Sequence, residues 1–352
     1  MAAKSNLERI VEFAQNALAL APVTILGSGA SAAHSIPGME PLAAHLQGLV
    51  VPTEWCAGEI DEWDRFLGEL ASGSDLEAAL QAVRLTARQT AHVVEGTRAL
   101  LLPADERVFH DVLNDRRALP LTRLFRNLFT SVHRAIDVVT PNYDRIAEYA
   151  ADAGEFGHYT GFSSGYLQSR PKSGASRGPF PAGGASRVVR VWKVHGSLDW
   201  FHNSSGQIAG VRVGRETPPG FSPLMITPGI DKYRLTHTEP FRTIFSCSDA
   251  ALESARSYFC VGYGFNDPHV QAKLVERCDS DSVPILVITK TLSDTAREFL
   301  TSGRCRRYLA LEDDGAGGTR AYTHETLGGV ILSGQAIWAL SDFLDCTLGP
   351  AA

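Results

Sequence analysis

The stretch PVTILGSGAS, residues 22–31, sets the short run Val23 to Leu26 directly before a glycine-bearing turn. A run of aliphatic and β-branched residues with no apolar–polar alternation reads as a strand covered on both faces. The turn, Gly27-Ser28-Gly29-Ala30-Ser31, is the arrangement used where backbone N–H groups approach a phosphate. With Ala32 it nearly fits the G-x-G-x-x-A fingerprint, yet no strand ending in an acid follows about 20 residues later. Taken alone, the run is equally a tight connection between a strand and a helix.

Upstream, Leu7, Ile10, Val11, Ala14 and Leu18 fall on one face of a helix predicted over 6–19. Downstream, strands are predicted at 137–140, 188–194, 224–227, 258–262, 283–288 and 306–311, several as continuous Val/Ile/Leu runs. Helical patterns lie between most of them, which predicts an α/β protein with a doubly wound, mainly parallel sheet. Residues 40–135 read as a helical insertion between the first two strands. There Ser74 and Glu77 make a capping-box pattern, followed at helical spacing by Leu76, Leu80, Val83, Ala87, Ala91 and Val94. A further helix is predicted over 121–134.

The 352 residues suffice for one large α/β domain, and a hydrophobic fraction of 44% with 20% charged residues can build its core. A net charge of −6 gives no reason to expect a surface built to coat nucleic acid. No apolar run approaches the roughly 18 residues that span a membrane. Lys4, Glu8, Arg9 and Glu12 interrupt the first apolar pattern, so no signal peptide is read and a cytoplasmic location is expected. The six cysteines are widely spaced, without the pairs of a zinc knuckle, and are expected to be buried free thiols.

One segment, SRPKSGASRGPFPAGGASR (169–187), is Ser/Gly/Pro-rich and expected to be a flexible loop. From Gly157 to Leu198 there is no acid but six Lys or Arg, so the segment is either a solvated, mobile loop or a lid or docking strip for an anionic partner.

Chemistry concentrates where strands end. In TPNYD (140–144), Pro141 ends the strand and Asp144 is placed to cap the next helix, with Gly154 as its stop, whereas Asn142 has no structural duty of that kind. In VWKVHGSLDW (191–200) a strand delivers His195 and Gly196 lets the chain turn. With an unperturbed pKa of about 6.5, His195 is the best general base near neutral pH, although such a histidine can also be purely structural. In CVGYGFNDPHV (260–270), Gly262 and Gly264 permit close backbone approach, and Asn266 or Asp267 could bind hydroxyls. The alternative there is an Asp-Pro turn opening a helix.

Taken in order, the glycine loop, T-x-N-x-D, K-x-H-G and G-Y-x-F-N-D-P-H resemble the sirtuin superfamily, and most of all its bacterial branch of sirtuin-like NAD hydrolases of anti-phage defence. The resemblance covers roughly residues 20–310. It implies a single Rossmann-like catalytic domain with NAD+ as substrate and no metal. It further implies that Gly27, Ser28, Gly29, Ala30 and Ser31 cradle phosphates, and that Asn142, Asp144 and His195 line the reacting end. Gly262, Tyr263, Gly264, Asn266 and Asp267 would then face the ribose and adenine side. Three departures from the protein-deacetylase sirtuins weigh against deacylation: the missing zinc module, Ser35-Ile36-Pro37-Gly38-Met39-Glu40 without the expected Arg, and helical filling over 40–135. Water is then the expected nucleophile, giving nicotinamide and ADP-ribose. The alternatives are a deacylase or ADP-ribosyltransferase, or a non-catalytic NAD or ADP-ribose sensor. The branch also implies restraint by homo-oligomerisation or by a partner, such as a ring-forming ATPase or an Argonaute-like protein. A separate partner is the expectation here, since only about 40 residues follow the last predicted core strand. Direct nucleic-acid binding is left open.

Overall fold

The structure, a computed structural model, describes residues 4–130, 132–170, 187–212, 215–227 and 237–350. Its helices are α1 (Asn6–Ala19), α2 (Ser28–Ala32), α3 (Met39–Gln47), α4 (Ala57–Ala71), α5 (Leu76–Ala82), α6 (Ala87–Asn114), α7 (Pro120–Leu128), α8 (Ile146–Ala153), α9 (Phe241–Glu253), α10 (Pro268–Ser280), α11 (Asp294–Thr301) and α12 (Leu340–Leu348). The strands are β1 (Val23–Leu26), β2 (Ala135–Thr140), β3 (Gly157–Tyr159), β4 (Leu167–Ser169), β5 (Val188–Lys193), β6 (Gly196–Asn203), β7 (Ile208–Val211), β8 (Phe221–Met225), β9 (Tyr258–Val261), β10 (Ile285–Ile288), β11 (Tyr308–Asp313), β12 (Thr319–Thr323) and β13 (Thr326–Leu332).

A nine-stranded sheet runs β13-β12-β11-β10-β9-β1-β2-β5-β3. From β11 to β3 every pairing is parallel, while β12 and β13 add an antiparallel edge. The central strands are mostly apolar, Thr24, Asp137 and Thr140 apart, because consecutive side chains serve two cores. Val23, Ile25, Val139, Ile285 and Val287 pack on one face, and Leu26, Ile136, Val138, Leu286 and Ile288 on the other. This is the doubly wound, mainly parallel sheet expected. From β1 the chain proceeds outward through β2 to β5, then returns across to β9, β10 and β11. The reversal falls between β1 and β9, and open α/β sheets bind ligands at the carboxyl ends of such a switch point.

The helical region between β1 and β2 divides in two. Trp55, Trp63 and Phe66 join residues of α3, α5 and the start of α6 in a small core of their own. The later part of α6 (Leu101, Ala104, Val108, Val112) and α7 pack instead on the sheet. The single helix expected after Ser74 is broken. Asp75, not Ser74, caps α5 by accepting from Ala78 N at 2.8 Å, and Ser74 Oγ turns to Glu69. Val83 is extended, and a new capping box, Thr86 with Gln89, starts α6. The helix expected over 121–134 ends at Leu128.

Residues 224–227 do not join the parallel sheet. They overlap β8 in a separate four-stranded sheet, β4-β7-β6-β8, whose pairings are antiparallel. The polar neighbours of β8, with a partly exposed burial pattern, suit a strand of that kind better than a buried central one. The expected flexible loop lies for residues 171–186 outside the described residues. All six cysteines are free and four are buried, whereas Cys56 is exposed and Cys346 half-buried. Among the described residues, no helix is long and apolar enough to cross a membrane.

Candidate active site

Two turns interlock at the switch point. Gly27 N–H donates to Val261 O at 3.0 Å and Gly29 N–H to Gly262 O at 3.0 Å. A Cβ on Gly27 would lie 2.3 Å from Gly262 O, and one on Gly262 2.3 Å from Ala30 N; Gly262 also has φ +57. The glycines at both strand ends are thus required by backbone-on-backbone contact. They bring the ends of β1 and β9 closer than any side chain would allow.

Beside them a cleft of about 270 Å3 opens, lined by Ser28, Asn142, Asp144, His195, Asn266 and Asp267 among others. Gly27, Ser31, Tyr143, Tyr263 and Gly264 also line it, while Ile36, Met39, Leu42 and Leu101 supply an apolar wall from the helical region. Of the residues expected at the site, Gly29, Ala30 and Gly262 stand behind this lining, in the packed seam. With the Gly27 and Gly29 amides spent on the Val261 and Gly262 carbonyls, the residues of the first loop that line the cleft beside Gly27 are Ser28 and Ser31.

Thr140, the last residue of β2, fixes the TPNYD exit. Its hydroxyl donates to Leu26 O at 2.9 Å and accepts from Asn142 N at 3.1 Å. Asn142 Nδ2 then bridges Gly27 O and Ser31 Oγ, both at 2.8 Å. Ser31 Oγ in turn donates a hydrogen bond to Asp144 Oδ2 at 2.6 Å. Both donors of the Asn142 amide are therefore held by the first loop. Asp144 Oδ1 accepts from Ile146 N at 3.2 Å, so the carboxylate satisfies the start of α8, although the N-cap itself is Arg145. Burial pushes the Asp144 carboxyl above the usual range, opposed by the Lys193 ammonium and the Ser31 hydroxyl. Lys193 is fully buried; it donates to the Asp144 carbonyl and pairs with Glu148 Oε1 at 3.2 Å.

His195 follows β5, and its Nε2 lies 3.0 Å from Asp267 Oδ2. Asp267 occupies the N-cap of α10, yet makes no side-chain cap bond; its carboxylate faces the imidazole. Asp267 thus lines the same cleft as His195 and Asn142 and lies beside the imidazole. A carboxylate beside an imidazole favours the imidazolium and so suits a histidine that accepts a proton. The His195 backbone is fixed as well: Ile226 N donates to His195 O at 2.8 Å, and Tyr143 OH donates to Ile226 O at 2.6 Å. Leu198 N donates to Tyr143 O at 3.1 Å. Tyr143 thus ties β2's exit to the second sheet. The sequence gives a phenol between Asn142 and Asp144 but no sign of its partner. The sequence gives as little sign of Lys193 or of the apolar wall as parts of the site: Lys193 ends a strand that already carries Arg190, so its charge does not stand out.

Among the described residues, no group of three or more His, Cys, Asp or Glu side chains could hold a metal ion. Fold and cleft together define an α/β protein with a ligand-sized site at the switch point of its sheet. Residues 137–298 match the family model described as SIR2-like domain, a span that holds Asn142, His195 and Asp267 but not the first glycine loop. Solved structures similar to this chain include a Sir2 homolog–NAD complex, at 14% identity over 85% of this chain and 87% of that one with a TM-score of 0.43. Another is Sir2Tm bound to a propionylated peptide, at 10% identity over 82% and 89% with a TM-score of 0.41. No curated protein matches the sequence.

Proposed function

We propose that this chain is a sirtuin-superfamily NAD+ glycohydrolase, which cleaves the nicotinamide–ribose bond and passes the sugar to water. The observation that carries the reading is the His195–Asp267 pair at 3.0 Å, facing the same cleft as the Asn142–Ser31–Asp144 chain. The SIR2-like match over residues 137–298 supports it.

The chemistry assigns each group a task. When the N-glycosidic bond breaks, its electron pair leaves with neutral nicotinamide, so no acid is needed at the leaving group. Positive charge builds on C1′ and the ring oxygen, as in other glycoside cleavages. Asn142, with its amide nitrogen pinned, presents its carbonyl dipole in a fixed direction, suited to orienting a ribose hydroxyl or the attacking water. His195 takes the proton that this water loses as its oxygen bonds to C1′, and the Asp267 carboxylate holds the resulting imidazolium. Asp144, buried and bonded to Ser31, is a positioning residue for the loop and an anchor at the closed end. Ser28 provides a polar contact toward the phosphates, while Ser31, whose hydroxyl donates to Asp144, holds Asn142 and Asp144 in place. The wall of Met39, Leu42 and Leu101 excludes bulk water and the return of nicotinamide.

The cellular setting we infer from the motif resemblance is anti-phage defence, with NAD+ loss as the effector step. Because unchecked NAD+ destruction harms the producing cell, restraint by self-association or by a regulatory partner belongs to this reading. The test is incubation of purified protein with NAD+ at several protein concentrations, with chromatography of the products beside Asn142→Ala and His195→Ala. Nicotinamide and ADP-ribose from the wild type alone support the hydrolase. Equal rates in His195→Ala would overturn the assignment of the base. Turnover only in the presence of an acyl-lysine peptide would favour the deacylase instead.

A further inference from the structure

Next to the cleft, beyond the Asp144–Lys193 contact, lies a second cavity of about 400 Å3, within the size range of small-molecule sites. Its walls come from α6, α8 and β6. Two carboxylates there, Glu148 on α8 and Asp199 on β6, are only 6% and 9% exposed. Glu148 Oε2 and Asp199 Oδ1 are buried, with no hydrogen-bond partner among the described residues. An unmet buried acceptor on a charged group is costly, and two facing one cavity are seldom tolerated without a purpose.

The cations around the cavity have acceptors of their own. Arg145 is held by Asp105 at 2.6 and 2.9 Å, and Arg215 pairs with Glu106 at 2.7 Å. His158 Nδ1 lies 2.8 Å from Asp152, and its Nε2 meets Arg212. Lys193 holds the other oxygen of Glu148 at 3.2 Å. What the cavity lacks, among the described residues, is an N–H donor for Glu148 Oε2 and for Asp199 Oδ1. A metal ion does not fit the need: among the described residues no set of three or more suitable ligands converges, and the volume far exceeds one ion. The tilted pair of Phe109 and Tyr149 rings, 5.4 Å apart, forms an aromatic wall of the kind that receives alkyl chains and delocalised cations.

We propose that this cavity is a second binding site, for a small organic cation bearing an ammonium or guanidinium group, whose N–H donors Glu148 and Asp199 receive. Glu148 shares Lys193 with the Asp144 carbonyl, so the site and the cleft have a common wall. The proposal does not depend on NAD+ cleavage, and its test uses neither NAD+ nor turnover.

Agmatine and putrescine are titrated calorimetrically into the full chain, with Asp199→Asn and Glu148→Gln beside it and MgCl2 as control. Saturable binding of at least one amine, weakened roughly tenfold or more in each variant as a charged hydrogen bond is lost, is expected. Asp199→Asn leaves the Glu148–Lys193 pair in place, so it remains informative if Glu148→Gln unfolds. Absence of binding by both amines, or unchanged affinity in a folded Asp199→Asn, overturns the proposal.

Discussion

Asp267 Oδ2 lies 3.0 Å from His195 Nε2, joining the turn after β9 to the end of β5 across the strands between them. An aspartate at a helix N-cap ordinarily spends its carboxylate on that helix; this one makes no cap bond. The imidazole is thereby supplied with a charge partner from the opposite half of the sheet.

If that partner serves the base, Asp267→Asn lowers the rate of nicotinamide release by about 10² to 10⁴-fold, the usual worth of general-base assistance. Nucleotide affinity should change little. Initial rates combined with a binding titration separate the two quantities, and a loss confined to affinity would return Asp267 to a ribose-binding role.

Ser31→Ala removes the hydroxyl that donates to Asp144 and accepts from Asn142. With Asp144 only 7% exposed, the cost is about 1.5–3 kcal/mol, the range for hydrogen bonds to charged groups. The denaturant midpoint measures it. A change near zero would mean that the cleft admits water to take the hydroxyl's place.

Gly262→Ala forces a Cβ to 2.3 Å from Ala30 N at a residue with φ +57. Left-handed strain of about 1–2 kcal/mol combines with overpacking of about 1–3 kcal/mol. The melting temperature should fall by several degrees, whereas Gly220→Ala, also at positive φ but with open space around it, carries the strain without the clash. Equal effects would show that packing of the two turns is not the constraint.

Asp144 and Glu148 are carboxyls whose proton affinity is raised above the ordinary 3.8 and 4.5, by burial first and against the pull of Lys193. The folded chain then keeps protons that the unfolded chain has lost. Each group contributes stability that is full below its unfolded pKa and is lost as pH rises through its folded value. Glu148→Gln cannot titrate, so its stability-versus-pH curve should decline less than that of the wild type from the acid side toward neutrality. Superimposable slopes in a series of denaturant melts would refute the assignment.

The strands were legible because composition alone reports burial on both faces. Val23–Leu26 and Tyr258–Val261 needed no tertiary knowledge, and neither did the α1 face or the stop of α8 at Gly154. The break at Val83–Thr86 was not legible. A helical period continues through it, and only the capping choice of Asp75 and Thr86 decides where helices begin. The second sheet was missed for a related reason: short strands with mixed polarity such as Phe221–Met225 do not announce their partners.

Sequence by itself determined which residues end the central strands, and hence that Asn142, His195 and Asp267 would stand near one edge of an α/β sheet. Strand order, and with it the adjacency of β1 to β9, came from the tertiary structure. So did the partners: Asp267 for His195, Ser31 for Asp144, Ile226 for Tyr143. The physical reason is range. Burial and turn preferences act over a few residues and leave a trace in composition, whereas a hydrogen bond between distant segments depends on distances that exist only after the sheet has assembled.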